Sequence, residues 1–225
     1  ADSLEGAVGI VADVATEDGN SRLIDAAEAA FGPVDLFFAN AGVAVGIALA
    51  TSEADWRLAF DVNVNAHRWA AARLLDGWLD RGHGYFCSTA SAAGLLSQIG
   101  SAPYAVTKRA AVAFAEWLSI TYGDQGIRVT CLCPQGVNTA MLQISLGGGT
   151  DVVKASGSVL EPADVAELAF QGIAEERFLV LPHPEVHDYA LRKATDIERW
   201  LAGMRRLNRR FASPTEQFGR ISSPE

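Results

Sequence analysis

Short apolar runs alternate along the chain with longer segments in which apolar residues recur every three to four positions. Most of the short runs lack alternating polar residues, as is typical of strands that helices cover on both faces. This order predicts an α/β fold with a doubly wound, Rossmann-type parallel sheet. The predicted strands are 8–13, 34–40, 84–89, 127–133 and 178–182, and the predicted helices lie near 17–31, 52–81, 103–123 and 162–175.

The pattern also predicts the domain organisation. We expect residues 1–182 to form one catalytic and cofactor-binding domain, residues 183–211 a helical extension of it, and residues 212–225 a polar tail. Within this frame, 145–158 is glycine-rich and follows a strand end, so we interpret it as a mobile loop and a candidate lid.

Residues 186–211 carry seven basic and three acidic side chains beside an apolar stripe of Trp200, Leu201, Met204 and Leu207. A basic amphipathic helix can bind a membrane, but such a stripe more often packs on protein, which we expect here. The helix at 103–123 is apolar on nearly every side, which indicates burial on two faces. A second subunit would cover one of those faces, so we predict a homo-oligomer, a dimer or a tetramer.

Composition narrows the function classes. With a net charge of -9 and a pI near 4.9, the 225-residue chain repels polyanions, which argues against nucleic acid as a partner. Cys87, Cys131 and Cys133 all fall inside apolar runs, which indicates reduced, buried thiols and a cytoplasmic protein. No apolar run approaches the roughly 18 residues of a membrane span, and we predict no membrane partner.

Two patterns permit a metal site, and we assign none. Cys131 and Cys133 share a strand face but lack a second ligand pair. His183 and His187 have a zinc-site spacing, yet Pro184 places His183 at or before a helix start and no third ligand is evident. We interpret His67 and His83 as surface residues.

Polar and small residues follow each predicted strand, where an open parallel sheet binds its ligands. They are Asp13, Asn40, Ala41, Gly42, Ser88, Thr89, Ser91 and the segment 134–139. The helix that starts beside this edge carries "YAVTK", which places Tyr104 and Lys108 on one helical face. We expect the ammonium to lower the pKa of the phenol and to make Tyr104 an acid and base for a hydroxyl proton.

Four motifs occur in order: "NAG" at 40–42, "NVNA" from Asn63, a serine thirteen residues before Tyr104, and "PQGVNT" at 134–139. Together they resemble the short-chain dehydrogenase/reductase family over roughly residues 8–182. Asn65 and Ser88 lie near functional neighbours but at the wrong spacing, so we interpret them as structural.

The resemblance implies a role for each matched residue. Tyr104 would be the general acid/base, Lys108 would lower its pKa and hold the nicotinamide ribose, Ser91 would position the substrate oxygen, and Asn63 would anchor a proton-relaying water. The resemblance also implies an NAD or NADP site at Asp13 and Val14 for the adenine, Asn40, Ala41 and Gly42 for the adenosine ribose region, and Val137 and Thr139 for the nicotinamide carboxamide.

The sequence departs from the family in two places. Gln135 stands where glycine is customary, and we expect Gly136 to absorb the turn. The glycine-rich phosphate-binding turn and the first two strands have no counterpart in these residues, so we expect about 50 further residues, two βα units, before Ala1. A missing second strand leaves the choice between NAD and NADP open.

The resemblance therefore implies an oxidoreductase that transfers a hydride between a nicotinamide cofactor and an alcohol or carbonyl substrate. The apolar stretch after Ser91, with Met141 and Leu142, predicts a hydrophobic small-molecule alcohol or ketone. The alternative from another class is a non-catalytic nucleotide-binding sensor or scaffold with the same fold.

Overall fold

The computed structural model of the chain describes residues 5–143 and 149–211. Helices and short strands alternate through both ranges. The strands are β1 (Leu36–Ala39), β2 (Gly84–Thr89), β3 (Ile127–Leu132), β4 (Gly136–Val137), β5 (Val159–Leu160) and β6 (Leu179–Val180). The helices are α1 (Glu17–Phe31), α2 (Glu53–Phe60), α3 (Ala66–Arg81), α4 (Ala92–Leu96), α5 (Ala102–Tyr122), α6 (Ala140–Gln143), α7 (Gly149–Ser156), α8 (Pro162–Ala174), α9 (Glu185–Thr195) and α10 (Ile197–Phe211).

Four parallel strands form the main sheet in the order β1-β2-β3-β6. Ala39 lies opposite Ser88, and Ser88 lies opposite Cys131, so the carboxyl ends of the three longer strands meet at one edge. A separate parallel pair, β4 and β5, lies beyond the end of β3. The α/β class with a parallel sheet is confirmed, and its carboxyl edge is where ligands are expected.

Helices cover both faces of this sheet. Successive strand residues point to opposite faces. Cys131 belongs to the core shared with α3 and α5, whereas Leu132 packs with Val165 and Ala169 of α8. The sheet is therefore buried between two helical layers, which explains why its strands read as continuous apolar runs.

The predicted strand at 8–13 is wrong. These residues form no strand, and Val11 is fully exposed. A strand needs a hydrogen-bonded neighbour, and within the described residues β1 pairs only with β2. Its apolar residues therefore have no sheet to join, although the other four predicted strands are confirmed.

The helix predictions hold with two changes. The segment 52–81 contains α2, a π-helical turn at Asp61–Asn65 and α3 rather than one regular helix, and Ser52 caps its start by accepting the amide of Asp55. The loop interpretation of 145–158 is wrong for residues 149–156, which form α7. The predictions for 145–148 and for the 212–225 tail lie outside the described residues.

The long helix α5 leaves part of its apolar surface uncovered. Val106, Trp117 and Ile120 are exposed, while Ala111, Ala115 and Leu118 are buried against the sheet. Within the ranges that the structure describes, no helix is both long and apolar enough to cross a membrane.

Candidate active site

A single large cavity of about 1620 Å³ opens at the carboxyl edge of the sheet. Eight of the predicted site residues line it: Asn40, Ala41, Gly42, Ser91, Tyr104, Lys108, Val137 and Thr139. The tertiary structure thus brings together residues from four separate stretches of the sequence. The predicted apolar wall is also present, since Leu96, Ile99, Met141 and Leu142 line the same cavity.

Local sequence fixes the position of Tyr104 at the start of α5. Ser101 is the N-cap and accepts a hydrogen bond from the Tyr104 amide at 3.3 Å, and Pro103 occupies the first turn, where no amide is needed. The short helix α4, which Ser91 caps, packs closely on α5 because Gly94 has no side chain. A Cβ at Gly94 would lie 2.5 Å from the carbonyl oxygen of Lys108.

The Ser91 hydroxyl donates a hydrogen bond to the carbonyl oxygen of Pro134 at 3.4 Å and accepts the amide of Ala93 at 3.1 Å. Burial raises the pKa of the Tyr104 phenol, the interaction with the Ser91 hydroxyl opposes that effect, and the nearby Cys133 thiol adds to it. The expected lowering of this pKa by Lys108 is therefore not what the structure gives. Removing a phenolate from water outweighs the attraction of the ammonium.

Lys108 is almost fully buried, with 3% of its surface exposed. Its Nζ donates a hydrogen bond to the carbonyl oxygen of Thr89 at 2.9 Å and lies 5.8 Å from the centre of the Tyr104 ring. Burial lowers the pKa of Lys108 to about 8, although the Cys133 and Cys131 thiols act in the opposite direction. The ammonium is held rigidly, and it loses its proton more readily than a lysine in water.

Asn63 is completely buried in the π-helical turn and does not line the cavity. Its Oδ1 accepts the amide of Val43 at 2.9 Å, and its Nδ2 donates to the Val43 carbonyl at 2.9 Å and to Thr107 Oγ1 at 3.0 Å. A π-helical turn inside a helix often marks a functional position. Here it directs one amide onto the loop after β1 and onto α5, so Asn63 holds these two parts of the site together.

The loop after β1 approaches Lys108 closely. A Cβ at Gly42 would lie 3.3 Å from Lys108 Nζ and 3.4 Å from Asn63 Oδ1, so a larger residue would crowd both groups. Asn40 Oδ1 accepts a hydrogen bond from Thr89 Oγ1 at 3.0 Å, which joins the ends of β1 and β2.

Two predicted cofactor residues lie outside this cavity. Asp13 accepts the amide of Ala15 at 3.0 Å, and its carbonyl accepts from the Thr16 amide and hydroxyl. Val14 accepts a hydrogen bond from Asn20 at 2.8 Å. In this structure both residues form the turn before α1, and neither lines the cavity.

Sequence reasoning missed the role of His183. The buried His183 accepts the Gln135 amide at Nδ1, at 3.1 Å, while its Nε2 lies 3.0 Å from the carbonyl oxygen of Gly136 and 3.2 Å from that of Ser158. The spacing of His183 to His187 had suggested a metal. Instead, His183 stabilises the turn at Gln135, which departs from the family pattern and lines the cavity.

Of the two histidines that the sequence assigned to the surface, one is exposed and one is buried. His83 is exposed, but His67 is buried beside Phe86 with its Nδ1 3.1 Å from Ser88 Oγ, so its surface assignment is wrong. Burial, aided by the charge of Lys108, lowers the pKa of His67 to about 3.

Cys131 and Cys133 share a face as predicted, with their sulfurs 3.7 Å apart. No cluster of three metal-ligating side chains occurs in the described parts of the chain.

Comparison with known proteins identifies the family. The sequence model of the family described as short chain dehydrogenase matches residues 2–146. The chain belongs to the short-chain dehydrogenase family. Its fold agrees, because the crystal structure of a short chain dehydrogenase/reductase from Burkholderia phymatum in complex with NAD superposes with a TM-score of 0.76. That protein is 30% identical, and the match covers 85% of this chain and 76% of that one.

Two further dehydrogenases with different names match at similar sequence identity. Estradiol 17-beta-dehydrogenase 11 of Macaca fascicularis is 30% identical over 189 residues, and 2-keto-3-deoxy-L-fuconate dehydrogenase of Xanthomonas campestris is 31% identical over 172. These matches cover 82% and 70% of this chain, but the chain spans only 61% and 56% of those relatives.

Proposed function

We propose that the protein is an NAD(P)-dependent oxidoreductase that interconverts a hydrophobic alcohol and the corresponding carbonyl compound. One observation carries the proposal. Ser91, Tyr104 and the buried Lys108 line one cavity, together with the residues that the family uses for its cofactor, and the Ser91 hydroxyl is near enough to Tyr104 to affect the pKa of the phenol. A phenol and a hydroxyl that lie this near each other can both contact one substrate oxygen.

The acid/base roles follow from the environment of each group. In carbonyl reduction Tyr104 donates its proton to the substrate oxygen, and the raised pKa of its phenol keeps that proton available at neutral pH. Ser91 donates a hydrogen bond to the same oxygen and so positions it. Lys108, with its pKa lowered to about 8, then returns a proton towards the tyrosine.

Asn63 acts through the loop that it holds, and we propose no direct contact with substrate.

The cavity also fits a nicotinamide dinucleotide, which when bound supplies or accepts the hydride. Asn40, Ala41 and Gly42 present a narrow strip beside Lys108 in which a Cβ at Gly42 would crowd the ammonium. Val137 and Thr139 line the same cavity. We propose that these residues and Lys108 hold NAD or NADP, with Asp13 and Val14 beside the adenine.

Tyr104→Phe tests the catalytic proposal, with Tyr122→Phe at the other end of α5 as the matched control. Turnover of a panel of aliphatic, steroid-like and sugar ketones with NADH and NADPH should fall about 1000-fold in Tyr104→Phe and stay unchanged in the control. Binding of the reduced cofactor, followed by its fluorescence, should be retained in both variants. Turnover that survives Tyr104→Phe would contradict the proposal, and cofactor binding without turnover by the wild type would support a sensor or scaffold.

We further propose a cytoplasmic homo-oligomer. The three free cysteines are all buried, as suits a reducing compartment. The exposed Val106, Trp117 and Ile120 give α5 an apolar surface that a second copy can cover. Light scattering at micromolar concentration should therefore give a mass above that of one 23.9 kDa chain.

A further inference from the structure

Three arginines line the end of the cavity formed by α9 and α10. Arg192, Arg199 and Arg206, termed here the arginine rim, are exposed and belong to the same cavity wall as Trp200 and Met204. They are unusual in a protein whose net charge is -9. Two helices thus place three positive charges on the cavity wall.

Among the residues that the structure describes, no acidic side chain neutralises the arginine rim. Asp196 is the one acidic side chain among the described residues that line the cavity. Its carboxylate accepts the amide of Arg199 at 2.9 Å and so caps the start of α10. Within the described ranges, the salt bridges join other pairs, and no carboxylate lies within 4.0 Å of these three guanidinium groups.

Helix geometry places the arginines beside an apolar surface. On α10, Arg199 and Arg206 lie on one stripe of the helix, with Gly203 between them, and Trp200 and Met204 lie on the adjacent stripe. A Cβ at Gly203 would lie 3.7 Å from Nη2 of Arg206, so the glycine leaves a gap between the two arginines.

The third member of the rim comes from α9. The guanidinium carbon of Arg192 lies 5.8 Å from the centre of the Tyr189 ring, and Tyr189 packs near Trp200 with ring centres 6.4 Å apart. Both helices therefore contribute a cation and an aromatic side chain to the same end of the cavity.

This arrangement specifies a ligand with two chemically distinct parts. Apolar residues from α4, α6 and α10 line the path through the cavity, and guanidinium groups bind carboxylate or phosphate through paired hydrogen bonds. The volume of about 1620 Å³ exceeds that of most small-molecule pockets, which leaves room for a substrate beside the nicotinamide cofactor.

We propose that the substrate is an amphiphile with an apolar chain and a terminal carboxylate or phosphate that binds the arginine rim. The proposal rests on the oxidoreductase function above, because it places the reacting carbonyl at Tyr104 and the anion at the arginine rim of the same cavity. An anionic membrane is the competing ligand for a basic helix. Three residues of the apolar stripe of α10, Trp200, Met204 and Leu207, line the cavity, which favours a ligand inside it, whereas Leu201 is 41% exposed.

Probe binding tests this inference without turnover. The full chain is titrated with 11-(dansylamino)undecanoic acid and with its methyl ester, and dansyl fluorescence is measured at low and high ionic strength. The acid should bind about ten-fold more tightly than the ester, and added salt should reduce that preference. Arg199→Gln and Arg206→Gln should each bind the acid no better than the ester, whereas Arg205→Gln, on α10 but outside the cavity lining, should behave as wild type.

Three other outcomes would overturn this inference. Equal binding of acid and ester by the wild type would overturn the inference, as would an equal loss of the preference in Arg205→Gln. In the third outcome, the chain sediments with phosphatidylserine vesicles and shows no preference for the acid. If Arg199→Gln and Arg205→Gln weaken that sedimentation equally, the basic helix binds a membrane, and this inference is overturned too. Ketone turnover without acid preference refutes this inference alone. Acid preference without turnover refutes the oxidoreductase, and with it the role of the amphiphile as substrate, but keeps the arginine rim as an anion-binding site.

Discussion

The floor and the rim of the cavity are built in opposite ways. At the floor, Ser91 and Lys108 are 7% and 3% exposed, and Asn63, which supports the floor without lining the cavity, is 0% exposed. Each of the three has a defined hydrogen-bond partner. At the rim, the three arginines are exposed and form no ion pair within the described residues. The residues whose chemistry needs a fixed geometry are thus held in place by the packed fold. The residues proposed to recognise the ligand lie at the surface, where their side chains can adapt.

This difference has a physical cause. A buried polar group that loses its partner keeps the full cost of leaving water, so each floor residue is tied to the stability of the fold. An exposed arginine keeps its hydration, and its removal costs little stability. Floor variants should therefore change both stability and chemistry, whereas rim variants should change binding alone.

The largest effect is expected for Lys108→Met, which keeps the length of the side chain and removes its charge. We expect activity to fall at least about 100-fold, since the tyrosine loses its proton partner. The effect of this substitution on the free energy of unfolding should depend on pH. Because the pKa of Lys108 is lowered from 10.5 to about 8 on folding, the unfolded chain binds more protons between these values.

The free energy of unfolding of the wild type, relative to Lys108→Met, should therefore rise with pH from about 8 to 10.5, by up to about 3 kcal/mol. Urea unfolding across this range measures the difference. Lys154→Met, at an exposed lysine of α7, is the control and should show no such slope relative to the wild type. If the difference in the free energy of unfolding between wild type and Lys108→Met does not vary with pH, burial does not lower the pKa of Lys108.

The second comparison uses two asparagines of the same π-helical turn. Asn63→Ala removes three hydrogen bonds and leaves the amide and carbonyl of Val43 without their partner, so it should cost about 3 kcal/mol. Asn65 bonds only Asp61, four residues away, and Asn65→Ala should cost about 0.5 kcal/mol. Equal losses in urea unfolding would show that the turn, rather than the bonds of Asn63, holds the loop after β1.

A smaller effect is expected from the two histidines of "HPEVH". His183→Ala should cost about 2 kcal/mol by leaving the Gln135 amide unpaired, and it should raise KM for the cofactor more than it lowers kcat. His187 is exposed and bonds only Asp188, so His187→Ala should be nearly neutral.

His183→Asn, which retains an acceptor for the Gln135 amide, should restore part of the cofactor affinity. A KM for the cofactor that stays at the wild-type value in His183→Ala would limit this histidine to a purely structural role.

Local patterns predicted much of the fold and of the site. Four of five strands follow from short continuous apolar runs, because a strand covered on both faces is apolar throughout. The main helices follow from apolar residues that recur every three to four positions, because a helix buries one face. The placement of Tyr104 at the start of α5 is equally local, since Ser101 and Pro103 define the cap. Long-range contacts limited the prediction elsewhere. The apolar run at 8–13 satisfies the strand pattern, yet a strand also requires a neighbour.

The sequence by itself determined which chemical groups the protein carries and, through helical spacing and caps, that Tyr104 and Lys108 share a helix face. Only the tertiary structure decided their electrostatics and partners. Burial reverses the expected shift in the pKa of Tyr104, the π-helical turn directs Asn63 onto Val43, and packing assigns His183 to the turn at Gln135. Solvent exclusion and contacts between distant residues set these properties, and neither is encoded in the spacing of any one segment.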